Sequence, residues 1–134
     1  MIILDSTFLI DYLKKDKKAL EKLIQFRERN EVLSTTAINV FEILNGAYYL
    51  DDPKKEMALK EINHLLSYLK IFELTVAGAD TCSRVFSYLR KNGIVIEDSD
   101  VLIAGLAIFN QANKICTRNH NHFSKIPGIE IIKY

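Results

Sequence analysis

The chain has 134 residues, of which 49% are hydrophobic and 26% charged, so it holds enough apolar material for one ordinary core and is not a disordered polymer. Its net charge of +1 gives no general affinity for polyanions. The only two cysteines, Cys82 and Cys116, are too far apart in sequence for a disulfide framework or a cysteine-based zinc site. No apolar run reaches the roughly 18 residues of a membrane span. The opening MIILDSTFLI carries an acid at position 5 and no basic leader, so a cytoplasmic address is expected.

Ile2-Ile3-Leu4 is a continuous apolar run of the kind found in strands buried on both faces. Asp5-Ser6-Thr7 ends it, and Phe8 to Leu13 reads as a short helix. Asp16 is an N-cap for a helix over Lys17 to Arg29. Val32-Leu33-Ser34 reads as a second strand, and Thr35 or Thr36 caps a helix from Ala37 to Leu50. Asp52-Pro53 opens another, running to Leu69 with apolar residues at helical spacing. Ile71 to Leu74 is a third strand. A helix over Ala77 to Lys91 stops at Asn92-Gly93, and Ile94 to Ile96 is extended. Asp98 or Ser99 caps an almost wholly apolar helix from Val101 to Asn110. Ile115-Cys116-Thr117 and Ile129 to Ile132 are the last strands. Strands alternating with helices predict an α/β fold around a parallel sheet, in a single domain spanning 1–134. Ligands of such folds sit at the carboxyl ends of strands.

Those strand ends carry acids. Asp5 directly follows the first strand; it is either a helix cap or a metal-ligating carboxylate with Thr7 holding it in place. Glu42 lies in Ala37-Ile38-Asn39-Val40-Phe41-Glu42-Ile43-Leu44, where it is either on a wet stripe or buried for a purpose. Asp98 and Asp100 open the apolar helix; one is expected to cap, and a second acid is then surplus. Thr117-Arg118-Asn119 follows the fourth strand, with Asn119 either an ordinary turn residue or an oxygen ligand. His120 and His122 have too few partners for a zinc site and are read as RNA-facing or solvated. Four converging carboxylates repel one another unless cations intervene, and hard oxygen ligands suit Mg²⁺ or Mn²⁺. Carboxylate-bound divalent ions are the usual apparatus of phosphodiester hydrolysis by an activated water. With Asp5, Glu42, Asp98 and Asp100 set aside, 13 acids face 18 Lys and Arg, a basic remainder suited to a polyanion.

The segments Ile3 to Ile10, Thr36 to Ala47, Asp100 to Gly105 and Thr117-Arg118-Asn119 with Phe123 together resemble the PIN-domain ribonucleases, specifically VapC-type toxins of toxin–antitoxin pairs. The resemblance implies a three-layer α/β/α sandwich and Mg²⁺- or Mn²⁺-dependent endoribonuclease activity. It also implies a homodimer and an antitoxin partner, here placed along Tyr48 to Tyr68. The family's first three acids map to Asp5, Glu42 and Asp100, the catalytic set. Asp98 matches an additional acid and joins Asp5 and Asp100 as a metal ligand, with Thr7, Thr117 and Asn119 supporting and Arg118 at the substrate rim. The chain departs from the family at the fourth acid, where Asn119 and His122 occupy the two places an acid would take. That departure supports the alternative of a weakened PIN-like module that binds RNA or protein. A phosphatase with Asp5 as nucleophile lacks its partner acid, because Thr7 holds that place.

Overall fold

The computed structural model describes residues 1–134. Five strands form one parallel sheet: β1 (Ile2–Leu4), β2 (Leu33–Thr36), β3 (Lys70–Phe72), β4 (Lys114–Cys116) and β5 (Glu130–Ile132), in the spatial order β3-β2-β1-β4-β5. Seven helices connect them: α1 (Ser6–Leu13), α2 (Lys17–Glu28), α3 (Ala37–Tyr48), α4 (Lys54–Leu66), α5 (Val76–Lys91), α6 (Asp98–Phe109) and the one-turn α7 (His120–Phe123). None is long and apolar enough to cross a membrane.

Side chains of a strand alternate between faces, so β1 feeds two cores. Ile2 and Leu4 pack with Phe8, Leu23, Phe26, Ile43 and Ile62 of α1 to α4, and Ile3 packs with Val101, Ile103, Ala104 and Phe123 of α6 and α7. This is the expected three-layer α/β/α sandwich. The chain winds from β1 outward to β2 and β3, then crosses to β4 on the other side. The crevice where the direction reverses, at the carboxyl ends of β1 and β4, is where such sheets bind ligands.

Several boundaries differ from the sequence reading for local reasons. β2 runs on to Thr36, because Ser34 and Thr35 donate their hydroxyls to the carbonyls of Ile2 (3.0 Å) and Leu4 (2.9 Å), which lets polar residues occupy a buried strand. α4 starts later than Asp52-Pro53: Pro53 takes the cap position, and the Asp52 side chain pairs with Lys55 instead. α6 begins at Asp98, ahead of Val101, with Glu97 rather than Asp98 or Ser99 at the N-cap position. The segment after β4, read as a turn, forms α7, which seats Phe123 in the core.

The α5–α6 contact is the tightest in the molecule's helical layer. A Cβ placed on Gly105 would lie 2.5 Å from Cys82 Sγ and 2.6 Å from Cys82 Cα, so the helices meet backbone to backbone there. Gly105→Ala should therefore force α5 and α6 apart and lower stability by about 1–3 kcal/mol, the usual range for overpacking. Its urea midpoint should fall; an unchanged midpoint would show that the helices separate freely.

Candidate active site

Asp5 occupies the N-cap position of α1, yet its carboxylate caps nothing. It turns into the crevice and is 2% exposed. Its Oδ1 accepts from Asn39 Nδ2 (2.9 Å) and more distantly from Ser6 Oγ (3.4 Å). Its Oδ2 accepts from Thr7 Oγ1 (2.9 Å) and Thr117 Oγ1 (2.7 Å). The donors are themselves fixed. Asn39 forms a reciprocal capping box with Thr36 at the start of α3, and the Thr7 and Thr117 hydroxyls accept the backbone N–H groups of Arg118 (3.1 Å) and Asn119 (2.8 Å). Thr7 and Thr117 thus both donate to Asp5. Asn39, to which the sequence reading gave no role, is a further donor to the same carboxylate.

Asp100, 5% exposed, opens toward the same crevice. Its Oδ2 meets Asn119 Nδ2 at 2.8 Å and His122 Nδ1 at 2.5 Å. Burial raises the Asp100 carboxyl above its ordinary range, the hydrogen bond from His122 pulls it back, and the charges of Asp5 and Glu97 push it up further. The mutual repulsion places Asp5 and Asp100 in one electrostatic unit. His122 is therefore more than a solvated loop residue: α7 turns its Nδ1 onto Asp100, while the rest of the ring stays partly exposed.

Glu42 is half-buried, and its Oε2 is buried without a hydrogen-bond partner. It lies one turn beyond Asn39, on the side of α3 that reaches Asp5. Asp98 is not brought to this group. It is exposed and lines a separate cavity of 620 Å³ with Ser83, Arg90 and Leu102. Both Asp98 and Asp100 lie on α6, and helical residues two apart point in nearly opposite directions, so only one can face the crevice. Glu97, which sequence reasoning passed over, is the acid whose charge reaches Asp100.

Arg118 is held at the rim. Its Nε contacts Asp11 Oδ2 at 3.0 Å, and the same oxygen accepts from Tyr134 Oη at 2.9 Å. Burial raises the Tyr134 hydroxyl's pKa, and its bond to Asp11 raises it further. The nearby Cys116 thiol is pushed up to about 12, chiefly by burial, which leaves it inert as a nucleophile.

No three carboxylate, imidazole or thiol groups are gathered closely enough to form a ready cage for an ion. The donor set nevertheless fits a divalent cation. Asp5 and Asp100 repel across the crevice, and Glu42 Oε2 is a buried acceptor with nothing to accept from. In the metal-free protein the raised Asp100 carboxyl has a consequence for folding. It contributes stability below its ordinary 3.8, and this is lost as pH rises through the higher folded-state value. Asp100→Asn removes that loss. The variant's advantage in urea midpoint should widen between about pH 4 and pH 7, and a constant or narrowing gap would count against the repulsion.

Known proteins share this arrangement of elements. Ribonuclease VapC1 of Methanocaldococcus jannaschii is 27% identical over 125 residues, covering 93% of this chain and 80% of its own. Ribonuclease VapC2 of Rickettsia felis is 23% identical over 127 residues, covering 95% and 92%. Among solved structures, VapBC2 from Rickettsia felis bound to a promoter DNA fragment superposes with a TM-score of 0.88 at 22% identity, over 100% of this chain and 99% of that one. VapBC-1 from nontypeable Haemophilus influenzae gives 0.81 at 24% identity, over 99% and 98%. These structural likenesses establish the shared fold. The PIN domain model itself matches residues 2–129, nearly the whole length, and the chain belongs to the PIN domain family.

Proposed function

We propose that the protein is a metal-dependent endoribonuclease, the toxin of a VapBC-type toxin–antitoxin pair, with Asp5, Glu42 and Asp100 as its catalytic acids. The observation that carries this reading is the convergence of the buried Asp5 and Asp100 carboxylates at the switch point of the sheet. Asp5 and Asp100 would hold Mg²⁺ or Mn²⁺, with Glu42, one turn beyond Asn39 on α3, as the third acid. A divalent ion bound there supplies an activated water and neutralises charge developing on the phosphate. Asn39, Thr7 and Thr117 hold the Asp5 carboxylate in place, so its oxygens need no rearrangement when substrate arrives. Arg118, braced by Asp11, offers its outer guanidinium nitrogens to an RNA phosphate.

A partner surface lies away from the crevice. A groove of about 1180 Å³ runs between α1, α2 and α4, lined by Tyr12, Leu20, Met57, His64, Tyr68 and Leu69 among others. Its apolar floor and mixed-charge rim suit an amphipathic segment of an antitoxin. It overlaps the Tyr48 to Tyr68 region along α4, while Tyr48 and Tyr49 remain exposed for a homodimer contact. The expected setting is the cytoplasm, where RNA substrate and antitoxin meet the protein.

Asp5→Asn and Asp100→Asn should each reduce cleavage of total RNA by on the order of 10²–10⁴-fold while far-ultraviolet circular dichroism stays native. Chelation should silence the native protein, and added Mn²⁺ or Mg²⁺ should restore it. The saturation of Asp5 by protein donors favours the second reading, a PIN-like module that binds RNA without cutting it; RNA binding with no ion-dependent cleavage would establish that one.

Arg118 is tested by binding of a single-stranded oligoribonucleotide in the Asp5→Asn background. Arg118→Ala should weaken binding and make its dependence on log salt shallower by about 0.7, the contribution of one phosphate contact. Asp11→Asn should weaken binding with the slope retained, since the charge stays while its brace is lost. Unchanged slopes in Arg118→Ala would place that residue off the RNA path.

A further inference from the structure

Asp98 stands outside the acidic crevice, and its surroundings point to a different use. It lines the cavity of about 620 Å³ between α5 and α6. The two helices are pressed together where Gly105 meets Cys82, and they leave a gap toward Arg90 and Asp98. Cys82, Phe86 and Arg90 recur at helical spacing along the α5 wall, and Asp98, Val101 and Leu102 face them from α6. The volume falls in the range of roughly 300–1,000 Å³ typical of pockets that hold small organic ligands.

The charges around this cavity are not engaged with one another. Arg90, Lys91 and Asp98 make no ion pair, whereas Arg84 on the same helix is tied to Asp80 at 2.8 Å. Arg90 and Lys91 lie in the last turn of α5, where the helix dipole favours cations. The dipole does not account for the position of Arg90 over the Phe86 ring, with Cζ 5.5 Å from its centroid. That contact steadies a planar guanidinium at the edge of the cavity.

A guanidinium layered on an aromatic ring is a platform for an unpaired nucleobase. A carboxylate beside such a platform reads the edge of the base, because it accepts from N–H groups and repels carbonyl oxygens. Guanine offers an imino and an amino donor side by side, whereas uracil offers one imino N–H between two carbonyls. Lys91 is free to meet an adjoining phosphate. Asp98 and Asp100 lie on opposite sides of the first turn of α6, so cavity and crevice are separated by about one helix diameter, roughly 10–12 Å. A single strand engaged at the crevice has the cavity within a few nucleotides.

We propose that the α5–α6 cavity is a base-reading subsite for single-stranded RNA, in which Arg90 stacks on an unpaired base and Asp98 accepts from its Watson–Crick edge, selecting guanine over uracil. This rests on the reading of RNA as the substrate and gives that substrate a sequence preference.

The experiment is fluorescence anisotropy with two labelled heptaribonucleotides, one all uracil and one with a single central guanine, on the full-length Asp5→Asn protein. The guanine heptamer should bind about tenfold more tightly, the discrimination of one well-made pair between a side chain and a base. Adding Asp98→Asn should bring the ratio close to one without weakening the all-uracil heptamer. Adding Arg90→Lys, which keeps the charge but removes the plane, should weaken both heptamers by about fivefold or more. Circular dichroism checks each fold, and the native protein in chelator carries the same comparison if Asp5→Asn is not folded. Equal binding of the two heptamers, or a guanine preference that survives in folded Asp98→Asn, overturns the subsite and leaves the nuclease reading to its own cleavage test. A guanine preference lost in Asp98→Asn, in a native protein that cuts no RNA, supports the subsite and overturns the nuclease reading. Loss of both binding and cleavage overturns both.

Discussion

The carboxylate of Asp5 is a charge buried at the end of the central strand, and much of the surrounding structure exists to make that tolerable. An isolated ionised carboxylate in a protein interior is strongly disfavoured, so donors must close on it. They come from three separate parts of the chain: Thr7 in α1, Asn39 in α3 and Thr117 at the end of β4. Each is oriented by a further bond, Asn39 through its capping box and the threonines through backbone N–H groups of the loop after β4. The parallel pairing of β1 with both β2 and β4 brings these segments to one point. A slip in either register would strand the charge.

Asp100 is handled differently, and the contrast separates the roles of the two acids. Asp5 is surrounded by neutral donors that satisfy both of its oxygens. Asp100 has burial and two neighbouring acids against it and only Asn119 and His122 in its favour. One carboxylate is thus fixed and satisfied, the other is under electrostatic load. Sites that act on charged substrates commonly store such a load, because an incoming cation relieves it.

What the sequence disclosed follows from what local pattern can carry. Asp5 stood out as a lone acid directly after an apolar strand, and Asp98 and Asp100 as a pair of acids opening an apolar helix. Thr117 and Asn119 followed from their place at the end of a strand. Asp98 could not be separated from Asp100 because α6 is apolar nearly all round, so its sequence does not mark which side faces the crevice. Tertiary packing set the helix start at Asp98, with Glu97 outside it. Asn39 was hidden for a related reason: its value lies in the way a capping box aims its amide across to β1, which spacing along α3 does not reveal. Asp11 looked like any surface acid of an amphipathic helix, and only the return of Tyr134 and Arg118 over it makes it a buried brace.

His122 is the case where the local reading and the structure part most clearly. Two histidines on a polar loop carry no periodic signal, and solvation is the natural expectation. What changes the outcome is Phe123. Its ring is fully buried, which draws the preceding residues into the single turn of α7 and carries the His122 imidazole onto Asp100. An apolar anchor therefore decides the position of a polar neighbour. The loop after β4 serves both carboxylates at once, through Thr117 on Asp5 and through Asn119 and His122 on Asp100. That corner of the crevice is thus polar and convergent, with an imidazole nitrogen and an amide rather than a carboxylate turned toward Asp100, so the loop meets the buried acid with neutral groups that the burial of Phe123 has placed.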